Sequence, residues 1–182
     1  KDCMEREFMS LENNPLIFRS NLKHGAVQFD QIKLDHFMPA LEHAIEEAEK
    51  VLEQIISNPE EATFENTILK MEDGTELMEN IANVYFNLMG AESNNKFKEL
   101  AQQISPKLSD FSNKVLLNSL LFERVKYIYD NRKQNYLNNE QKRLVEESYL
   151  DFINNGGTQI IYPVVSVSGR VGFEMDVAVN CE

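Results

Sequence analysis

The 182-residue sequence is poor in cysteine and contains no long apolar run. Its two cysteines, Cys3 and Cys181, lie near opposite ends, so they form neither a disulfide framework nor a CxxC metal motif. Free thiols in a reducing, cytoplasmic compartment are therefore expected. No stretch approaches the ~20 apolar residues of a membrane-spanning helix, and the charged first residues lack the apolar core of a signal peptide.

Positive charge is also scarce. The chain has 18 Lys and Arg against 30 Asp and Glu, which gives a formal net charge of −12 at pH 7. Nucleic acids and anionic membrane surfaces are bound through clustered Lys and Arg, so neither is expected as a partner. The apolar fraction of 42% and the charged fraction of 26% are typical of a soluble globular protein. The length suffices for one domain with a buried core.

Helical periodicity begins in the segment 29–72. Asp35 is predicted to cap a first helix, and Pro39 lies in its opening turn, where a missing N–H costs little. One apolar stripe recurs at steps of three and four residues: Phe37, Leu41, Ala44, Ala48, Leu52 and Ile55. Ser57-Asn58-Pro59 should end this helix, because a residue before proline is disfavoured in helical geometry. Thr63 is predicted to cap a second helix, so that the two helices form a hairpin.

The second helix is predicted to run from about Phe64 to Met89. Gly74 lies inside it and should cost roughly 1 kcal/mol relative to alanine. A third helix follows Asn95 and keeps its apolar period across Pro106. Because proline removes one backbone hydrogen bond, Pro106 is expected to kink this helix or divide it in two.

A fourth helix is predicted to start near Ser119, and a fifth to be capped by Asn138, with Gln141 completing a capping-box-like pair. Asn155-Gly156-Gly157 should end the fifth helix. Residues 31–157 are therefore predicted to be one helical domain, an all-α antiparallel bundle of about five helices.

The two ends of the chain differ from this central region. Residues 1–30 are predicted to be an irregular N-terminal arm. Residues 158–182 are rich in β-branched side chains, and Ile160–Val167 and Val171–Val179 predict a β-hairpin. Because an isolated hairpin is marginally stable in water, this tail is expected to be the least ordered part.

Several short motifs occur together in the helical region and before it. They are Asn14-Pro15-Leu16, the run FDQIK-DHF-PAL-HAI from Phe29, Thr63-Phe64-Glu65-Asn66-Thr67, Leu121-Phe122-x-Arg124-Val125-Lys126 and Arg143-Leu144-Val145-Glu146. In this order and spacing they resemble the N-terminal part of the thimet-oligopeptidase-like zinc peptidases, a group that includes oligopeptidase A and the bacterial peptidyl-dipeptidases. The resemblance covers roughly residues 13–156. It implies that Phe18 and Phe29 anchor the arm on the helices, and that the helices form one wall and part of the gate of a channel that admits short peptides.

The resemblance also implies where catalysis occurs. These peptidases bind one zinc ion through His-Glu-x-x-His on a helix and a further downstream glutamate. The chain has three histidines, His24, His36 and His43, and no such motif. The catalytic half is therefore expected to lie outside this chain. No catalytic, cofactor-binding or metal-binding residue is assigned. The chain alone is expected to be monomeric, to bind no zinc and to meet short peptides only through the missing half.

Two further groups of polar residues are candidates for a site. His36, His43 and Glu47 share one helical face, but seven helical residues span ~10 Å, so a solvated polar face is favoured over a metal site. Glu46-Glu47 and Glu60-Glu61 are interpreted as exposed charge runs rather than acid–base pairs. The alternative function is a non-enzymatic helical scaffold or protein-interaction module, with the strand-like tail as its recognition edge.

Overall fold

The computed structural model describes residues 11, 13–17, 29–91, 95–133 and 137–155. Within these ranges the structure consists of five α-helices: α1 Phe37–Ile56, α2 Lys70–Ala91, α3 Asn95–Leu116, α4 Ser119–Asn131 and α5 Asn139–Asn155. Short 3-10 turns at Phe29–Gln31 and Leu34–His36 precede α1, and a π-helical turn at Phe64–Leu69 leads into α2. None of these residues lies in a strand, so the described part of the chain is all-α, as predicted. The β-hairpin predicted for 158–182 lies outside it.

The apolar stripe of α1 forms the centre of the core. All six side chains predicted from the spacing are buried, and Ala40 joins them. The expectation that Asp35 caps this helix is wrong. Leu34–His36 forms a 3-10 turn, which places His36 at the N-cap of α1, where no side chain caps the helix. The imidazole Nδ1 of His36 instead accepts a hydrogen bond from the Lys33 N–H at 3.1 Å.

Helices α1 and α2 form the predicted antiparallel hairpin. Phe37 at the start of α1 contacts Tyr85 near the end of α2, with ring centroids 5.1 Å apart in an edge-to-face arrangement. At the other end of the pair, Gly74 faces Val51. A Cβ atom placed on Gly74 would lie 2.7 Å from Cγ1 of Val51, closer than two carbon atoms can approach. Gly74, which the sequence predicted only to lower helix stability, is therefore the position at which the two helices can approach closely.

Tyr85 also joins the hairpin to α3. The side chain is fully buried, its hydroxyl donates a hydrogen bond to the Phe97 carbonyl, and the two ring centroids are 6.0 Å apart. A buried phenol needs such a partner, because an unpaired hydroxyl in the core is costly. One side chain therefore fixes the relative position of three helices.

Helix α3 is continuous across Pro106, so the expected division into two helices does not occur. Phe97, Ile104 and Phe111 are buried at seven-residue spacing, and this shared face holds the two halves of the helix on the same core. Two ion pairs lie along α1 and α3: Lys107–Glu42 at 2.8 Å and Lys114–Glu49 at 2.9 Å. They show that α3 runs parallel to α1. Because these pairs are solvent-exposed, each contributes at most about 1 kcal/mol.

Side-chain caps mark the starts of α4 and α5. The Oδ1 atom of Asn118 accepts from the Leu121 N–H at 3.0 Å. Asn138 and Gln141 form the predicted reciprocal pair: each backbone N–H donates to the other's side chain, at 3.0 and 2.8 Å. Such boxes satisfy N–H groups that a helix leaves without partners.

An aromatic stack joins α4 to α5. Tyr129 and Tyr149 lie nearly parallel with centroids 4.0 Å apart, and Phe122 packs on Phe152 at 5.8 Å. The Arg132 guanidinium covers the outer face of Tyr129, 3.7 Å from the ring centroid. Low-numbered residues of α4 face high-numbered residues of α5, so the two helices are antiparallel.

In the described part of the N-terminal arm, the contact with the start of α1 is made by Asn14 rather than Phe29. Phe29 is 52% exposed and therefore does not anchor the arm, and Phe18 lies outside the described residues. Asn14 is instead 1% exposed. Its Nδ2 donates to the His36 carbonyl at 2.8 Å, and its Oδ1 accepts from the Leu16 N–H at 3.0 Å. A turn ending at Asn14-Pro15 presents the amide directly to the start of α1, whereas Phe29 lies in a 3-10 turn that faces solvent.

Candidate functional site

The loop between α1 and α2 is organised by a reciprocal cap. Thr63 Oγ1 accepts from the Asn66 N–H at 3.1 Å, and Asn66 Oδ1 accepts from the Thr63 N–H at 2.9 Å. The predicted N-cap is therefore confirmed, although the first turn it caps is π-helical. Asn66 Nδ2 also donates to the Glu61 carbonyl at 2.9 Å, which folds the loop back over the cap.

Arg124 of α4 binds this loop with all three guanidinium nitrogens. Its Nη1 donates to the carbonyls of Asn58 and Glu60, both at 3.1 Å. Its Nη2 donates to Asn66 Oδ1 at 3.1 Å, and its Nε to Thr67 Oγ1 at 3.2 Å. We call this group, Arg124 with Asn58, Glu60, Asn66 and Thr67, the Arg124 junction.

The Arg124 junction serves to position the loop. The break at Asn58-Pro59 leaves backbone carbonyls without helical partners, and a planar guanidinium supplies several donors in a fixed fork. Hydrogen bonds from a charged donor are about twice as strong as neutral ones. Glu60 enters the junction through its backbone carbonyl, and the Thr67 hydroxyl accepts from Arg124 and donates to Asn66, so the junction holds the loop and the start of α2 against α4.

A second feature is a groove between α2, α3 and α5, with a volume of about 460 Å³. We call it the α2–α3–α5 groove. It is lined by Met71, Glu72, Thr75, Met78, Glu79, Leu108, Phe111, Ser112, Val115, Leu116, Ser148, Asp151, Phe152 and Asn155. The volume lies within the range of ~300–1,000 Å³ typical of ligand pockets. Seven of its fourteen lining residues are apolar, and its charged lining residues are all acidic.

The carboxylates of the groove influence one another. Burial raises the pKa of Glu72 above its usual value, and the negative charges of Glu79 and Asp73 raise it further. None of the residues that line the groove is Lys, Arg or His. A cation placed there would therefore relieve the repulsion between the carboxylates.

The residues considered for a metal site do not form one. His36 Nδ1 is engaged by the Lys33 N–H, and burial followed by the charge of Lys33 lowers the pKa of His36. Glu47 receives a hydrogen bond from Lys50 at 2.8 Å, which lowers the pKa of its carboxyl. Across the described ranges, no three His, Cys, Asp or Glu side chains lie close enough to share a metal ion. His24 lies outside the described residues.

The paired carboxylates are exposed, as expected of charge runs. Glu46 and Glu47 both contact Lys50, at 3.0 and 2.8 Å. Glu60 and Glu61 are exposed in the α1–α2 loop, where their backbone carbonyls, rather than their carboxylates, bind Arg124 and Asn66. Among the described helices, none is both long and apolar enough to cross a membrane.

Sequence reasoning missed the roles of Arg124 and Gly74. Arg124 belongs to a motif quoted from the sequence, but nothing in that motif names its partners. A signal was present: an arginine that directly precedes buried Val125 and lies two positions after buried Phe122 needs oxygen acceptors nearby. Gly74 inside a well-formed helix was the corresponding signal of a close helix contact.

The sequence was also compared with those of known proteins. No family model matches the chain. The chain is 33% identical over 143 residues to dipeptidyl carboxypeptidase of Escherichia coli (strain K12), covering 79% of this chain and 21% of that protein. It is 32% identical over 146 residues to dipeptidyl carboxypeptidase of Salmonella typhimurium, covering 80% and 22%. It is 26% identical over 144 residues to oligopeptidase A of Haemophilus influenzae, covering 79% and 20%.

The chain spans about a fifth of the length of the curated relatives it matches. These relatives are the two kinds of peptidase that the sequence motifs resemble, so the resemblance is confirmed. The helical region described above is therefore homologous to part of the thimet-oligopeptidase-like peptidases.

Proposed function

We propose that this chain is the N-terminal helical part of a zinc-dependent oligopeptidase or peptidyl-dipeptidase that hydrolyses short peptides. Its helices form a channel wall that admits short peptides and excludes large substrates. Residues outside this chain bind zinc and carry out hydrolysis. The chain alone binds no zinc and cleaves no peptide.

The observation that carries this proposal is the Arg124 junction. Arg124 belongs to one of the motifs that resemble the peptidases, and Thr67 and Asn66, which lie 57 and 58 residues before it, belong to another, yet side-chain hydrogen bonds join them. Two of the motifs that carry the resemblance are therefore in contact in the folded chain. A wall that selects substrates by size must hold its shape, and the junction fixes the turn between two of its helices.

The test is a chimera of the Escherichia coli relative. Its matching region is replaced by residues 13–155 of this chain, and a second protein has that region deleted. We expect the chimera to release dipeptides from short peptides in a zinc-dependent reaction and to leave a large unfolded protein such as casein uncut. The deleted form should be inactive or cleave casein. A folded chimera that cleaves casein as fast as a short peptide would contradict the gating role.

The isolated chain supplies the matching control. Incubated with zinc and short peptides, it should release no product, and equilibrium dialysis should find no bound zinc. Zinc-dependent cleavage by the isolated chain would contradict the proposed division of labour.

The α2–α3–α5 groove favours the second candidate, a helical interaction module. If the chimera is folded but inactive and the isolated chain binds a polypeptide partner, this candidate is preferred.

A further inference from the structure

The α2–α3–α5 groove has the dimensions of a short helical segment. One wall extends from Met71 to Glu79 on α2, and the other from Leu108 to Leu116 on α3. Each wall covers eight residue steps, or about 12 Å of helix. This length accommodates just over two helical turns, which is the spacing of side chains at positions i, i+3 or i+4, and i+7.

The floor of the groove suits apolar anchors of variable shape. Met71 and Met78 line it together with Phe111 and Phe152. Methionine side chains are flexible and polarisable, and they are common on surfaces that accept different apolar partners. Two or three leucine-sized or phenylalanine-sized side chains would be expected to occupy a volume of about 460 Å³.

The rim of the groove is negative from several sources. Glu72 and Glu79 contribute carboxylates from α2, and Asp151 contributes one from α5. The groove also reaches Leu116 and Asn155, the last residues of α3 and α5. Helix C-termini carry a partial negative charge, so both helix ends strengthen the field of the carboxylates.

Two lysines of α3 do not neutralise this rim. Lys107 and Lys114 are directed towards α1, where they pair with Glu42 and Glu49. The whole chain carries a formal charge of −12, so a second copy would meet repulsion at an acidic rim.

We propose that the α2–α3–α5 groove binds a basic amphipathic helix of a partner polypeptide. Its apolar side chains fill the groove, and its Lys and Arg side chains pair with Glu72, Glu79 and Asp151. This is helix-in-groove recognition, in which apolar anchors supply affinity and charges supply orientation and specificity. The inference is independent of the proposed peptidase function, because it rests on the groove alone.

The test measures binding of a fluorescent peptide to the full chain by anisotropy. The probe has leucines along one helical face and lysines on the other; a control peptide has glutamates in place of the lysines. The lysine peptide should bind and should be released by salt. The glutamate peptide should not bind. Equal binding of both peptides would overturn the proposal.

Two variants with matched controls locate the site. Ser112→Trp places a large side chain in the groove without changing charge and should abolish binding, whereas Asn113→Trp, at an exposed position outside the groove lining, should not. Neutralising the rim with Glu72→Gln, Glu79→Gln and Asp151→Asn should weaken binding about tenfold or more. The same number of neutralised charges at exposed Glu53, Glu99 and Glu123 should weaken it much less.

Circular dichroism establishes that each variant is folded. Equal weakening by rim and control neutralisation would show that the peptide senses net charge only, and would overturn the proposal. Binding unaffected by Ser112→Trp would overturn it as well. Concentration-dependent dimerisation of the chain that Ser112→Trp prevents would assign the groove to a second copy instead.

Discussion

Replacing Gly74 by alanine should destabilise the chain, although alanine is the better helix former. In an open helix the change gains about 1 kcal/mol. Here the new methyl group would lie 2.7 Å from Cγ1 and 3.0 Å from Cβ of Val51. Val51 cannot yield easily, because a β-branched side chain has few χ1 rotamers in a helix. Overpacking of this kind costs about 1–3 kcal/mol, so the net loss should be about 1 kcal/mol.

Gly90 supplies the matched control. It lies in the same helix, and a Cβ added there meets no atom within 4 Å. Gly90→Ala should therefore raise the free energy of unfolding, by up to ~1 kcal/mol. Both substitutions replace glycine by alanine, but the expected changes in the free energy of unfolding have opposite signs.

A double-mutant cycle isolates the contact. Val51→Ala removes both Cγ methyl groups and leaves only the Cβ contact at 3.0 Å, so Gly74→Ala should be less destabilising in that background than in the original chain. Urea unfolding followed by far-UV circular dichroism measures all four proteins, and an unchanged m-value shows that the compactness of the two states is the same. If Gly74→Ala stabilises the original chain as much as Gly90→Ala does, the close approach of α1 and α2 is refuted.

Three further predictions concern the other polar contacts. Arg124→Ala should lower the free energy of unfolding by about 2–4 kcal/mol, because four charge-assisted hydrogen bonds to the loop are lost. Arg124→Lys should lower it by about half of that, because these bonds are reduced in number. Urea unfolding measures both variants, and a loss below ~0.5 kcal/mol for Arg124→Ala would contradict the role of the Arg124 junction. Tyr85→Phe should cost about 1 kcal/mol in thermal unfolding, since the hydrogen bond between the buried hydroxyl and the Phe97 carbonyl is lost. Burial raises the pKa of Tyr85, so its contribution is present below pH ~10 and is lost as the pH rises through the raised pKa; the phenylalanine variant should lack that loss. Burial and neighbouring carboxylates raise the pKa of Glu72, so ionisation of Glu72 destabilises the folded chain. Glu72→Gln should therefore raise the free energy of unfolding at neutral pH and leave it unchanged near pH ~3, where the carboxyl is protonated. Equal effects at the two pH values would show that the charge of Glu72 is not the cause.

Features that depend on neighbours in sequence were predicted well. The α1 stripe follows from three- and four-residue spacing, and the caps at Thr63 and Asn138 follow from a side chain three residues away. Asp35 failed for an equally local reason. A 3-10 turn and an α-helix are alternative conformations of the same residues. The hydrogen bond from the Lys33 N–H to the His36 ring stabilises the 3-10 turn.

Features that depend on distant residues were not predictable from spacing. Arg124 reaches oxygen atoms 57 to 66 positions away, and no periodicity indicates which carbonyls will lie there. Gly74 could be assigned only a cost, because its benefit exists only once Val51 of another helix is placed beside it. Pro106 showed the reverse: the local rule allowed a division of the helix in two, but one continuous helix forms. The groove also requires three helices to be positioned before it exists.

The two α1–α3 ion pairs have a consequence for mispacking. Glu42 and Glu49 are seven residues apart, and so are Lys107 and Lys114. If α3 slid by one heptad, one lysine would still face one glutamate, so these charges discriminate poorly between the two alignments. Tyr85 favours the observed alignment, because a slide of one heptad would put Ile104 in place of the Phe97 ring, whose centroid lies 6.0 Å from that of Tyr85. When Phe97 is replaced by isoleucine, we expect α3 to sample the shifted alignment, which disulfide trapping between cysteines placed at Glu42 and Lys114 would detect.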